Sequence, residues 1–174
     1  MNDSPSALDR LLAAIPYALV AIGVLALLFW QASIRKTPTI FGDELEWTQI
    51  SRAIADTGHA ARRGQPVTFK SVYPYVIAPL WWIHSTSSAY AAIKYVNTIL
   101  MALAAVPTFL LARMLVSMRI AFAAALVTLL TTGVYYAPFL LPEVVAWPWF
   151  ALCAYLTIRA LARGGRWWIA AAVA

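Results

Sequence analysis

Leu11 to Ile34 is a run of 24 residues without a charged side chain. A helix of that length covers about 36 Å, more than the ~30 Å hydrocarbon core of a bilayer. In lipid, only helices and closed barrels satisfy their own backbone hydrogen bonds. A secretory signal has a shorter apolar core and a small-residue cleavage site. The run here is too long, and "WQASIRK" at its end is a poor cleavage site, so it is read as a retained membrane helix. Composition agrees: 63% of the 174 residues are hydrophobic and 11% charged, against roughly half and a quarter in soluble domains. The one cysteine, Cys153, lies inside an apolar run, so no intrachain disulfide forms and the residue reads as packing.

Three further uncharged runs follow: Tyr95 to Ala112 (18 residues), Ile120 to Pro142, and Val144 to Ile158 (15 residues). The expected fold class is all-α integral membrane: four transmembrane helices plus the start of a fifth, with spans at about 11–34, 89–112, 119–140 and 143–161. The apolar stretch 167–174 is too short to cross and is read as a truncated fifth helix, which makes the chain the N-terminal part of one membrane-embedded domain in a longer protein. The spans are joined by short connections that favour antiparallel neighbours, apart from a long loop at 35–88.

Charge sets the expected orientation. The connection "MLVSMRI" carries Arg113 and Arg119, and "IRALARGGRWW" carries Arg159, Arg163 and Arg166, while "YYAPFLLPE" between them has no basic residue. By the positive-inside rule the first two face the cytoplasm and the third faces outward. The N-terminus is then cytoplasmic, loop 35–88 is outside, and the protein belongs to the cytoplasmic membrane. The net charge of +6 fits basic cytoplasmic loops rather than a nucleic-acid partner.

The outer loop gathers three of the chain's seven acids into "FGDELEW": Asp43, Glu44 and Glu46. One reading is a helix start, with Asp43 as N-cap and Glu46 closing a D-x-x-E box. It leaves Glu44, about 100° away around the helix, unexplained. The helix is expected to run to about Thr57 with Trp47, Ile50 and Ile54 on one face, followed by a loop at "RRGQP". "VYPYVIAPLWWI", residues 72–83, is too short and Pro-rich to span and is expected to lie in the outer interface. Glu143, the only acid after Asp56, opens the fourth span behind Pro142. A helix start accounts for it too, yet it falls on the same expected side as Asp43. Two separated acids on one membrane face could bound a site where a hydroxyl loses its proton.

"GDELEW", "YPYVIAPL" and "LPEVVAWPW", in that order around the second span "AAIKYVNTILMALAAVPTFLLARML", resemble the N-terminal part of GT-C superfamily membrane glycosyltransferases. The nearest types are the protein-mannosyltransferase-like and lipid A aminoarabinose-transferase-like enzymes. The resemblance implies transfer of a sugar from a polyprenyl-phosphate donor to an acceptor hydroxyl (lipid, glycan or protein) outside the cytoplasm. It implies Asp43 as general base, Glu44 as the acid that orients the acceptor or nearby basic groups, and Glu143 lining the same cavity. Tyr73, of the Tyr-Pro segment, is counted with the substrate-binding residues.

A carrier phosphate needs cations. Lys94, entering the second span, is the first candidate, with Arg52 and Lys70 behind it. Snorkelling is the alternative for Lys94, and a solvated face or lipid headgroup contact is the plainer reading of Arg52 and Lys70. Asn97 reads as a helix–helix hydrogen bond rather than a ligand. His59 and His84 are isolated, with no His/Cys spacing for a metal. Three acids can ligate a divalent ion, but no cofactor or metal is expected. Gly-rich phosphate loops are absent, which disfavours a nucleotide-sugar donor. The competing class is a transporter or flippase subunit for lipid-linked intermediates, which would place ionisable groups deeper in its spans. A non-catalytic scaffold explains the apolar spans but gives the acidic cluster no role beyond capping.

Overall fold

The structure is a computed structural model and describes residues 6–35, 42–68 and 71–163. The expected fifth-helix segment 167–174 and Lys70 lie outside the described residues. Eight α-helices and one two-stranded hairpin are placed among those described. α1 is Ala7–Ile34; α2 Gly42–Thr57; β1 Ala61–Arg62; β2 Gln65–Pro66; α3 Tyr73–Ile77; α4 Thr86–Leu103; α5 Ala105–Ala112; α6 Met118–Thr128; α7 Val134–Tyr136; α8 Glu143–Arg163.

Four stretches are long and apolar enough to cross a membrane: Leu11–Ile34, Thr86–Ala112, Met118–Tyr136 and Glu143–Ala162. Their side chains are little buried, from 6% of the most apolar window in the first to 28% in the second. Leu, Ile and Trp side chains therefore point outward along most of their length. An apolar surface of that extent is expected against lipid or further helices, not water.

Local chemistry explains the departures from straight helices. The second stretch begins at Thr86, three residues before the expected Ala89, because the Ser85 side chain accepts from Ser88 N at 3.4 Å and caps it. It breaks at Ala104, between α4 and α5, since Pro107 has no N–H for the Leu103 carbonyl. The third stretch widens into a π-helical turn, Leu129–Gly133, before α7. There a Cβ on Gly133 would stand 3.4 Å from a Leu28 methyl, so α1 packs directly on glycine backbone. This stretch stops at Tyr136 rather than the expected 140, where Pro138 cannot extend the ladder.

Between α1 and α4 the chain does not form one loose loop. α2 packs on α3, on the 3₁₀ turn Ala78–Trp82 that follows α3, and on β1. "RRGQP", expected as loop, is the tip of an antiparallel hairpin pairing Ala61 with Pro66 and Arg62 with Gln65. Arg63 and Gly64 take φ of 51° and 78° at its turn, the left-handed pair of a type I′ connection. The main buried cluster (Tyr73, Ile77, Ile93, Met101, Ala137, Leu140, Val144) lies where α3, α4 and α8 meet the 137–142 connection. This cluster lies at one end of the bundle, beside α2 and α3.

Asn97 ties that end together, as the helix–helix reading expects. Its Nδ2 donates to Phe139 O at 2.8 Å and lies 3.1 Å from the Tyr73 hydroxyl, which donates to Oδ1 at 3.3 Å. Replacing it leaves a buried carbonyl and a buried phenol without these partners. Asn97→Ala should lower stability by about 1–3 kcal/mol, read as a lower melting temperature of the detergent-purified protein.

Candidate functional site

Glu44 is 0% exposed. It sits in the first turn of α2, and its Oε1 accepts from Leu140 N at 3.2 Å. Leu140 belongs to the short connection that leads into α8, so one carboxylate bridges two segments 96 residues apart. The sequence expectation differs here in an instructive way. α2 begins at Gly42, so Asp43 lies inside the first turn and not at the N-cap. Nor does the capping box form, because Glu46 pairs with Arg62 of the hairpin at 3.1 Å. The expected apolar face holds, with Ile50 buried and Trp47 packed against the core cluster, but the buried side of α2 is wider. It carries Glu44, Thr48 and Ser51 at i, i+4 and i+7, with Ile50 beside them.

That stripe is polar, and the helices below it supply partners. Thr48 Oγ1 donates to Glu44 O at 2.8 Å and lies 3.2 Å from the Tyr90 hydroxyl. Trp81 Nε1 donates to Ser51 Oγ at 2.7 Å, and Trp82 Nε1 to Ala55 O at 3.1 Å. Trp81 meets Tyr90 edge-on, ring centroids 5.1 Å apart. The tryptophans of "PLWWI" therefore hold α2 down on the bundle.

Lys94 is also buried, at 6% exposure, and its Nζ donates to Arg35 O at 2.7 Å, at the C-terminal end of α1. A lysine on the last carbonyls of a helix is a favourable cap. Glu44 lies close enough to attract it electrostatically. Arg35 in turn lies 5.7 Å over the Phe139 ring. Glu44 and Lys94 together fasten α2, the end of α1, α4 and the 137–142 connection.

Tyr73 belongs to the same cluster. Burial raises its phenol well above its ordinary pKa; the Asn97 hydrogen bond partly offsets this, and the charges of Glu44 and Glu143 push it up further. Tyr73 is therefore a neutral, buried hydroxyl that donates to Asn97 Oδ1. Asp43 and Glu143 are both exposed at this end of the bundle. Arg52 is exposed too, about 12 Å along α2 from Glu44 by helical rise, with its guanidinium 5.4 Å over the Trp81 ring. The structure thus brings Glu44, Glu143, Tyr73 and Lys94 to one end, with Asp43 beside Glu44. Arg52 stands apart on Trp81.

Two apolar cavities adjoin this end. One, of about 790 Å³, is lined by Ser71, Val72, Tyr73, Pro142, Val145, Ala146 and Trp149. The other, of about 400 Å³, continues down the α4, α5 and α8 face past Leu100, Pro107 and Leu152. Val145 and Trp149 line both, so the two cavities are neighbours along α8. Among the described residues, no group of three or more His, Cys, Asp and Glu is placed to hold a metal ion.

Tyr90, Trp81, Asn97 and the Leu140 amide complete the cluster, and sequence reasoning gave none of them a place in a site. One signal was available: Glu44, Thr48 and Ser51 share a helical face, and a polar stripe on a helix held against a bundle needs partners. Fold and site together define a helical protein with four membrane-length segments and a buried, charge-bearing polar cluster at one end. In comparisons with known proteins, no family model, no curated protein and no solved structure matches the chain.

Proposed function

We propose that the protein is a GT-C-type membrane glycosyltransferase that moves a sugar from a polyprenyl-phosphate carrier to an acceptor hydroxyl, with the α2 end of the bundle facing away from the cytoplasm. The observation that carries this reading is that exposed acids, Asp43 and Glu143, stand at the same end of the bundle as the apolar cavity lined by Tyr73 and Pro142. A sugar donor on a prenyl chain needs both: an apolar path for the chain and a polar end where the sugar meets its acceptor. The clustering of Arg113, Arg119 and Arg159 at the other end supports the orientation.

In this reading Asp43 takes the proton of the acceptor hydroxyl as its oxygen attacks the anomeric carbon. The new carbon–oxygen bond forms as the sugar–phosphate bond breaks, and the polyprenyl phosphate leaves with the electron pair. Glu44 acts as a positioning residue: by holding Leu140 N it sets α2 and Asp43 against the connection that leads to Glu143 at the start of α8. Tyr73, neutral, donates a hydrogen bond. Lys94, occupied by the Arg35 carbonyl, braces the end of α1 rather than reaching the carrier phosphate. The flippase reading draws on deep polar groups, but Asn97 and Thr98 bond to the protein itself (Phe139 O and Lys94 O).

The test is direct. Membranes from cells expressing the protein, given a radiolabelled polyprenyl-phosphate sugar, should pass label to an acceptor fraction, and membranes without it should not. Movement of labelled carrier across the bilayer with no transfer would replace this reading with the flippase.

A further inference from the structure

At the end of the bundle away from the carboxylates, α5 and α8 part around a cavity of about 250 Å³ lined by Leu110, Arg113, Met114, Tyr155 and Arg159. Its two walls differ. Leu110 and Met114, each 38% exposed, supply an aliphatic side. Arg113 and Arg159 supply a cationic one. The Arg159 guanidinium bonds the Tyr155 hydroxyl and stands 5.6 Å from the centre of that ring. Arg113 directs one N–H to Val116 O at 2.9 Å, one of five donors on its planar fork.

Asp43, Glu44, Glu46 and Asp56 lie on α2 and Glu143 at the start of α8. Glu143 is roughly 24 Å along α8 from Arg159 by helical rise. That exceeds the ~8 Å screening length at physiological salt, so these acids do not neutralise the pocket.

We propose that this cavity seats the phosphate of an anionic phosphodiester lipid, with Arg113 and Arg159 on the phosphate oxygens and Leu110 and Met114 against the start of an acyl chain. Guanidinium forks match phosphate geometry, and basic pockets between membrane helices take phospholipid headgroups. A free phosphate would satisfy the arginines but has no use for the aliphatic wall, which favours the lipid source. The site is separate from the carboxylate end, and its test needs no sugar transfer.

Native mass spectrometry of the detergent-purified protein decides it, with phosphatidylglycerol and phosphatidylcholine of matched acyl chains as probes. One phosphatidylglycerol should stay bound under conditions that strip phosphatidylcholine. Arg113→Gln and Arg159→Gln should each weaken retention about fivefold, while Arg119→Gln, outside the pocket, should leave it unchanged. Equal retention of the two lipids, or equal weakening by Arg119→Gln, overturns the site. Displacement of the lipid by millimolar inorganic phosphate overturns the lipid assignment. Should Arg159→Gln lose its helical circular dichroism, Arg159→Lys carries the test, since it keeps the charge and loses the fork. Retention should then fall about two- to threefold, and unchanged retention overturns the forked contact.

Discussion

Asp43→Asn should lower sugar transfer by roughly 10²–10⁴-fold, the usual contribution of a general base, while the protein still inserts and melts normally. Asp43 is exposed in the first turn of α2, so the amide changes almost nothing in packing. An asparagine there still suits a helix start, although the charge on the helix dipole is lost. The measurement is initial transfer rate per unit of membrane-inserted protein, beside a melting curve of the same preparation. Wild-type rates in Asp43→Asn would end the base assignment. A rate loss that tracked a stability loss would make Asp43 a structural residue. The comparison with Glu143→Gln sharpens this: if Glu143 only lines the cavity, its amide should slow transfer less than that of Asp43.

Glu44→Ala should act the other way, through stability first. The substitution removes the acceptor for Leu140 N and leaves the buried Lys94 without its nearby negative charge. Taking one partner from such a buried set costs about 2–4 kcal/mol. For a chain of this size that is a fall in melting temperature of roughly 5–15 °C. Glu44→Gln keeps an oxygen for Leu140 N and loses only the charge, so it should fall less. Adding Lys94→Met to Glu44→Gln should recover part of the loss, because the cation then needs no partner. Glu44→Ala melting like wild type would remove the bracing role. Glu44→Gln and Lys94→Met losses that simply add would mean the two charges do not interact.

The site was half legible before any coordinates. Glu44 stood out as the one acid that a capping box could not use, and the structure buries it completely. The companion inference, Asp43 capping with Glu46, does not hold, because Arg62 comes within 3.1 Å of Glu46 through a hairpin that the loop residues did not advertise. The buried side of α2 is wider than its apolar face for a related reason. Trp47, Ile50 and Ile54 form an apolar face by period alone, and helical period normally identifies the buried side. Here the helix lies on a surface that offers Trp81 Nε1, the Tyr90 hydroxyl and the Leu140 amide, so the side with Glu44, Thr48 and Ser51 is drawn inward as well.

The four membrane-length segments follow from the sequence by itself, because a helix in an apolar setting satisfies its own backbone and needs only length and apolarity, both properties of consecutive residues. Their interruptions are equally local, set by Ser85, Pro107 and Pro138. The meeting of Glu44 with Leu140 N, Lys94 with Arg35 O, and Asn97 with both Tyr73 and Phe139 O is not of that kind. Those partners lie 24 to 96 residues apart, and nothing in either member's own neighbourhood names the other. Only the packing of α1, α2, α3, α4 and the start of α8 at one end of the bundle brings them within hydrogen-bond range. There each polar group must find a partner inside the protein, since burial has removed its water.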